Sequence, residues 1–182
     1  MTFIIVTHDQ EEAMTMASRI GVMKSGKLAQ VACPRELYEA PRSRWIAEFV
    51  GDINLVDGES KLRDGHRLVL GTRDAGPLVV AEPREPVGGG KLAVAIRPEK
   101  VKLSRRGPVS EAGHETAINR LDGVIADICY LGGTTTYKVK LDTGGMVQAS
   151  VANSARLDVD AYSLNQHVVA WFTPDDCVVL PS

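Results

Sequence analysis

Thr2-Phe3-Ile4-Ile5-Val6-Thr7-His8-Asp9-Gln10-Glu11-Glu12-Ala13 passes from an apolar, largely β-branched run directly into a polar turn. A continuous apolar run is the mark of a strand buried on both faces, and such strands deliver polar loops to the carboxyl edge of an α/β sheet, where ligands bind. His8 stands at the tip of that turn. The remaining strands of such a sheet do not follow, so the opening segment reads as an α/β remnant, the tail of a larger protein.

Working outward, Ala13, Met16, Ala17 and Ile20 fall at i, i+3, i+4 and i+7, which predicts a helix with one buried stripe. Thr7 with Gln10, or Asp9 with Glu12, supplies a capping box, and the acids of the first turn suit the helix dipole. Ile20–Lys24 and Lys27–Val31 flank Ser25-Gly26, a short hairpin by turn chemistry. Two short helices follow, Pro34 to Ala40 with proline at its start and Ser43 to Val50. Trp45 and Phe49, four apart, are assigned to the core face of the second.

The pattern changes near Gly51 to Asp57, which divides the chain into residues 1–52 and 53–182. The first piece is too small to bury a core alone, since units below ~40 to 60 residues are marginal without staples. The second is mainly β. Tyr137, Val139 and Leu141 alternate with Lys138, Lys140 and Asp142, a strand with one buried face. Asp142-Thr143-Gly144-Gly145 and Gly132-Gly133 are its turns. Leu92–Ile96 and Val168–Phe172 are apolar on both faces and suit central strands of a closed barrel. Val94 to Leu103 resembles Val169 to Leu180: each is a buried strand, a proline–acid step and a second strand, as two similar half-barrels would give. Pro77 to Gly90 and Arg105 to Thr116 read as long loops.

Composition narrows the function classes. A net charge of −2 with evenly spread charges and 5% aromatics argues against nucleic acid. No stretch approaches the ~18 to 20 apolar residues of a membrane span, and no signal peptide precedes the first strand. Cys33, Cys129 and Cys177 lie far apart without CxxC spacing and are expected as buried reduced thiols, with no metal site. His66, His114 and His167 fit no motif and are expected at the surface.

These residues carry a resemblance. Val6-Thr-His-Asp-Gln-Glu-Glu-Ala-Met14, Gly26-Lys27, Pro34 to Tyr38 and Phe49 to Asn54 match, in order, the switch-histidine loop, hairpin, helix and exit segment of the ATP-binding subunits of ABC importers. The remainder resembles that family's C-terminal regulatory domain, an OB-like β-barrel, with Ile96-Arg97-Pro98-Glu99 as a landmark. Tyr130-Leu131-Gly132 and Cys177 to Leu180 look most like the polyamine (putrescine/spermidine) branch.

The resemblance implies that residues 1–52 are the end of an ATP-binding domain and 53–182 the regulatory domain of a subunit that couples ATP hydrolysis to solute uptake. It implies His8 as the γ-phosphate switch histidine, since an imidazole can donate to a phosphate oxygen and orient water. For Arg97 and Glu99 it implies a regulatory or dimer contact, beside a plain strand-end role. Expected partners are transmembrane permease subunits, a second ATP-binding subunit and, indirectly, a solute receptor. The expected place is the cytoplasmic face of the cell membrane.

A phosphate loop needs Gly-x-x-x-x-Gly-Lys-Ser/Thr after a strand. At Gly88-Gly89-Gly90-Lys91 the sequence has Glu85 and Leu92 in place of the first glycine and the hydroxyl. Neither a magnesium-binding acid after an earlier strand nor a Leu-Ser-Gly-Gly-Gln signature is found. ATP and magnesium are therefore expected as cofactors of a complete subunit only, and none is expected for this chain alone. The alternative is a self-sufficient barrel that binds a small oxyanion, as the related molybdate-binding barrels do. Against it, the barrel's arginines are scattered without a Ser/Thr-rich nest.

Overall fold

The computed structural model describes residues 2–64, 66–82, 91–105, 118–154 and 161–181. The chain separates into two compact units, Met1–Asp52 and Ile53–Ser182.

In the first unit, helix α1 (Gln10–Met16) starts where the Asp9 carboxylate accepts from the Glu12 amide at 2.9 Å. It stops earlier than the apolar spacing predicts. Ala17 is extended (φ −90°, ψ 137°), Met16 is 66% exposed, and Ile20 opens strand β1 (Ile20–Lys24). Ile20 pairs with Ala32 of strand β2 (Lys27–Ala32), so cross-strand pairing of a β-branched residue overrides helical spacing here. Ser25 (φ 50°) and Gly26 (φ 75°) are both left-handed, the requirement of a type I′ turn.

Helices α2 (Pro34–Glu39) and α3 (Arg44–Phe49) follow as the sequence predicts, the latter capped by the Ser43 hydroxyl. The core face of α3 follows the expectation in part. Ile46 and Ala47 are buried, and Ile46 joins Val22, Ala32, Leu37 and Val50 in the core of this unit. Trp45 is partly buried and packs against that core, with the Lys24 ammonium over its ring, whereas Phe49, stacked on it at 5.1 Å, is 42% exposed. The i, i+4 spacing puts the two rings together, and the fully buried stripe lies one residue further on.

The second unit is built from two runs of five strands. The first run is β3 (Asn54–Asp64), β4 (Arg67–Thr72), β5 (Pro77–Ala81), β6 (Lys91–Ile96) and β7 (Lys102–Arg105). The second is β8 (Asn119–Tyr130), β9 (Thr134–Leu141), β10 (Met146–Ala152), β11 (His167–Phe172) and β12 (Cys177–Pro181). The sheets are ordered β5-β4-β3-β6-β12 and β10-β9-β8-β11-β7. Each run therefore completes the other's sheet with its last strand. The step between sheets is made in both runs by a 3-10 turn, Pro98–Lys100 and Pro174–Asp176, whose proline fixes the first backbone angle.

The duplication extends further than the sequence comparison reached. Asn54-Leu-Val-Asp-Gly58 and Asn119-Arg-Leu-Asp-Gly123 occupy the same place at the head of β3 and β8. Asn54 is opposite Ile96 and Asn119 opposite Phe172, the last residues of β6 and β11. The register of β3 against β4 shifts between Ser60 and Leu62, and that of β8 against β9 between Ile125 and Asp127. Both central strands, β6 and β11, are buried from their second residue onward, as their two-sided apolar runs require. Leu70, Leu78, Val94, Ile125, Val139, Val147 and Phe172 belong to the common core.

Two further expectations are corrected. Pro77–Ala81 is a strand rather than part of a loop: Leu78 and Val80 are fully buried, and proline is tolerated as the first residue of a strand. Cys177 is buried as expected, whereas Cys33 and Cys129 are exposed. Cys33 stands just before α2 and Cys129 near the tip of the β8–β9 hairpin, where packing ends. Burial and the nearby Asp176 and Asp175 push the Cys177 thiol far above its ordinary range, so it behaves as a small core hydrophobe. Gly88, Gly89, Gly90, His114 and most of the expected 105–116 loop lie outside the described residues.

Candidate functional site

The sequence singles out two places, and each belongs to its own unit. In the first, His8 occupies an exposed bend between Val6 and α1. The loop is pinned on both sides of the histidine. The Asp9 amide donates to the Thr7 hydroxyl at 3.0 Å, and the Asp9 carboxylate holds the Glu12 amide. A Thr-His-Asp order thus uses its outer residues to fix the backbone and leaves the imidazole free to face outward. Ahead of it, Phe3, Ile4, Ile5 and Val6 pair with no strand among the described residues and are 62–95% exposed. Among the described residues no three His, Cys, Asp or Glu side chains gather as a metal site.

In the second, Arg97 and Glu99 share the 3-10 turn that follows β6. Arg97 is 4% exposed and its carbonyl accepts from the Lys100 amide, while Glu99 is exposed. Proximity of the two along the chain is thus kept, but they face different surroundings. The matching turn of the second run has Thr173 in place of arginine, closed by Thr173 amide and hydroxyl donors on the Asp176 carboxylate at 2.8 and 2.7 Å.

Sequence reading missed two polar residues that the fold places at matching positions. Asn54 and Asn119 are 6% and 4% exposed. The Asn54 amide donates to the Gln148 carbonyl at 2.8 Å and its oxygen accepts from the Gln148 amide. Asn119 makes the same pair of bonds to Val79, both at 2.7 Å. Each asparagine of one run thereby grips the third strand of the other. The available signal was the repeated Asn-x-x-Asp-Gly.

Nearby, the turns that join the second and third strands of each run, β4 to β5 and β9 to β10, touch. The Asp74 carbonyl accepts from the Gly145 amide at 3.0 Å and from the Thr143 hydroxyl at 2.6 Å. A side chain at Gly145 would run into that carbonyl, which explains the glycine there. A small cavity beside these turns is lined by Leu55, Asp57, Asp74, Leu141 and Met146, among others. Its ionisable lining is two carboxylates, the wrong sign for an oxyanion.

Residues 94–180 match the family model of the TOBE domain. The putrescine transport ATP-binding protein PotG of Escherichia coli (strain K12) is 38% identical over 181 residues, covering 99% of this chain and 46% of that protein. Spermidine/putrescine import ATP-binding proteins PotA match as well. That of Rubrobacter xylanophilus is 39% identical over 155 residues, 84% of this chain and 38% of the relative. That of Trichodesmium erythraeum is 34% identical over 188 residues, 99% of this chain and 46% of the relative. The chain thus spans about half the length, or less, of the curated relatives it matches. Among solved structures, the cytoplasmic molybdate-binding protein ModG aligns with a TM-score of 0.52 over 70% of this chain and 96% of that one, at 14% identity. That likeness is one of fold.

Proposed function

We propose that this chain is the C-terminal part of the ATP-binding subunit of an ABC importer for putrescine or spermidine. Residues 1–52 contribute the switch-histidine end of the ATP-binding domain, and 53–182 form its regulatory domain. The observation that carries this reading is alignment over 99% of the chain with a putrescine transport ATP-binding protein at 38% identity. The TOBE match and the exposed histidine between two pinned neighbours support it.

The residues present do not make an ATP–magnesium site. The sequence holds no phosphate loop, and His8 supplies one contact, worth about 1.5 to 3 kcal/mol even when charge-assisted. Micromolar binding needs about 8 kcal/mol. The part proposed for His8 is a single imidazole contact offered to a phosphate held by other elements of a complete subunit. Permease subunits, a second ATP-binding subunit and a position on the cytoplasmic membrane face belong to the same proposal. No helix among the described residues is long and apolar enough to cross a membrane.

The oxyanion-binding alternative rests on the ModG likeness, which at 14% identity concerns the fold, and the cavity described beside the Asp74 turn, with its two carboxylates, lends it no support. The test is replacement of the matching segment of the Escherichia coli relative by residues 1–182. The chimera is expected to restore putrescine uptake and ATP hydrolysis in cells lacking the relative. His8→Ala in the chimera is expected to remove most hydrolysis while nucleotide binding persists, because contacts made in the transition state act on turnover. A folded, membrane-assembled chimera that neither hydrolyses nor transports would overturn the assignment.

A further inference from the structure

We infer that Asn54 and Asn119 are a reciprocal pair of latches: the opening residue of each run closes the free edge of the other run's third strand and keeps a further strand from adding there. Among the described residues β5 and β10 stand at the ends of their sheets, each strand-paired on one side only, to β4 and to β9, with the turns Pro174–Asp176 and Pro98–Lys100 respectively close by. An end strand offers a row of amides and carbonyls to any incoming strand, including one from a second copy of this chain. Val79 and Gln148 carry an amide and a carbonyl that turn away from the paired side, since both are taken by an asparagine side chain. A carboxamide can turn a carbonyl oxygen and one N–H of its NH2 group to the same side, so it takes up both backbone groups that an added strand would use.

Position explains why asparagine stands there. Each latch follows from the last-strand exchange, which brings the head of β8 beside β5 and the head of β3 beside β10. Aspartate would keep the acceptor and lose the donor. Glutamine carries one more methylene, which would push the amide past the strand it grips. Both latches are nearly fully buried, where an unmade bond costs most. The repeated Asn-x-x-Asp-Gly therefore marks a latch at its first residue and a close strand approach at its last. The glycine has that role because a Cβ at Gly123 would collide with the Lys140 carbonyl, and one at Gly58 would sit 3.0 Å from the Gly71 carbonyl.

Amide hydrogen exchange of the full chain, followed residue by residue, tests this. Asn119→Ala is expected to speed exchange at Val79 by about five- to tenfold, with Gln148 unchanged. Asn54→Ala is expected to do the converse. Asn119→Asp, which keeps the acceptor, is expected to leave Val79 protected, and it reads the same bond if the alanine variant does not fold. Val79 and Gln148 protected as in the unaltered chain in both alanine variants would overturn the latches. So would equal loss at both sites in each single variant, or Val79 exchanging as fast in Asn119→Asp as in Asn119→Ala. In sedimentation, Asn54→Ala/Asn119→Ala is expected to associate at lower concentration than the unaltered chain. Identical association would overturn the edge-guarding half of the inference.

Discussion

Phe3-Ile4-Ile5-Val6 and Leu92-Ala93-Val94-Ala95-Ile96 are written in nearly the same alphabet, yet the first is 62–95% exposed and the second 0–4%. The second run has β3 on one side and β12 on the other, the latter supplied by the other half of a duplicated unit. The first has no ladder partner among the described residues. An apolar run states what a strand needs. Whether the need is met depends on neighbours encoded elsewhere, and the duplicated unit encodes its own.

The widest expected contrast comes from deleting the same kind of side chain in the two settings. Phe172→Ala removes a fully buried ring from the shared core and is expected to cost about 3 to 5 kcal/mol in denaturant unfolding of the β unit. Ile4→Ala is expected to stay within about 0.5 kcal/mol, as surface changes do. Equal costs would show that residues 3–6 are buried in solution.

Within the duplicated unit the two halves differ in tightness, and glycine reads the difference. Gly123→Ala sets a methyl against the Lys140 carbonyl and the Val139 side chain, and is expected to cost about 1 to 3 kcal/mol, the range of overpacking. Gly58→Ala meets its nearest carbonyl at 3.0 Å and is expected to cost less than Gly123→Ala. A reversed order in chemical denaturation would mean that β8 relaxes more readily than β3.

Much of this was legible in the sequence. The hairpin, the capped helices, the two double-sided central strands and the proline-linked strand pairs all rest on short-range rules, which act within a turn or a strand. What was not legible depended on distant partners. Asn54 bonds a residue 94 positions away and Asn119 one 40 positions away, so a residue that locally reads as a turn former is a buried clasp. Ile20 kept helical spacing but was claimed by Ala32 across the hairpin. Arg97 follows an apolar strand and reads as a strand-end residue, and nothing local shows that the fold encloses it. His8 stands out in the sequence because both its neighbours have local roles in fixing the loop.

A smaller effect is expected from making residues 3–6 polar. Ile4→Lys with Val6→Lys is expected to leave the unfolding of the β unit unchanged and to reduce self-association in sedimentation. Charged side chains are a common protection for unpaired strand edges. Unchanged association would place the self-contact elsewhere in the chain.

The smallest expected effect lies on the outer face of the second half, where the Lys138 ammonium donates to the Asp127 carboxylate at 3.0 Å across β8 and β9. The first half offers β3 and β4 no pair at the matching bulge among the described ion pairs, so this is a point at which the duplicates diverge. Lys138 holds the Asp127 carboxyl below its ordinary range, first through the hydrogen bond and then through charge. A carboxyl depressed in the folded state stabilises above the unfolded value, and that contribution is lost as pH falls through the folded value. Both groups are solvated, so the contribution is small and screened by salt. Lys138→Met is therefore expected to lower stability slightly at neutral pH and low salt. The difference from the unaltered chain should shrink to nothing as the solution is acidified past the folded Asp127 value, and also in molar salt. A difference that persisted unchanged through both titrations would assign the effect to the packing of the lysine stem on β9 and leave no role for the ion pair.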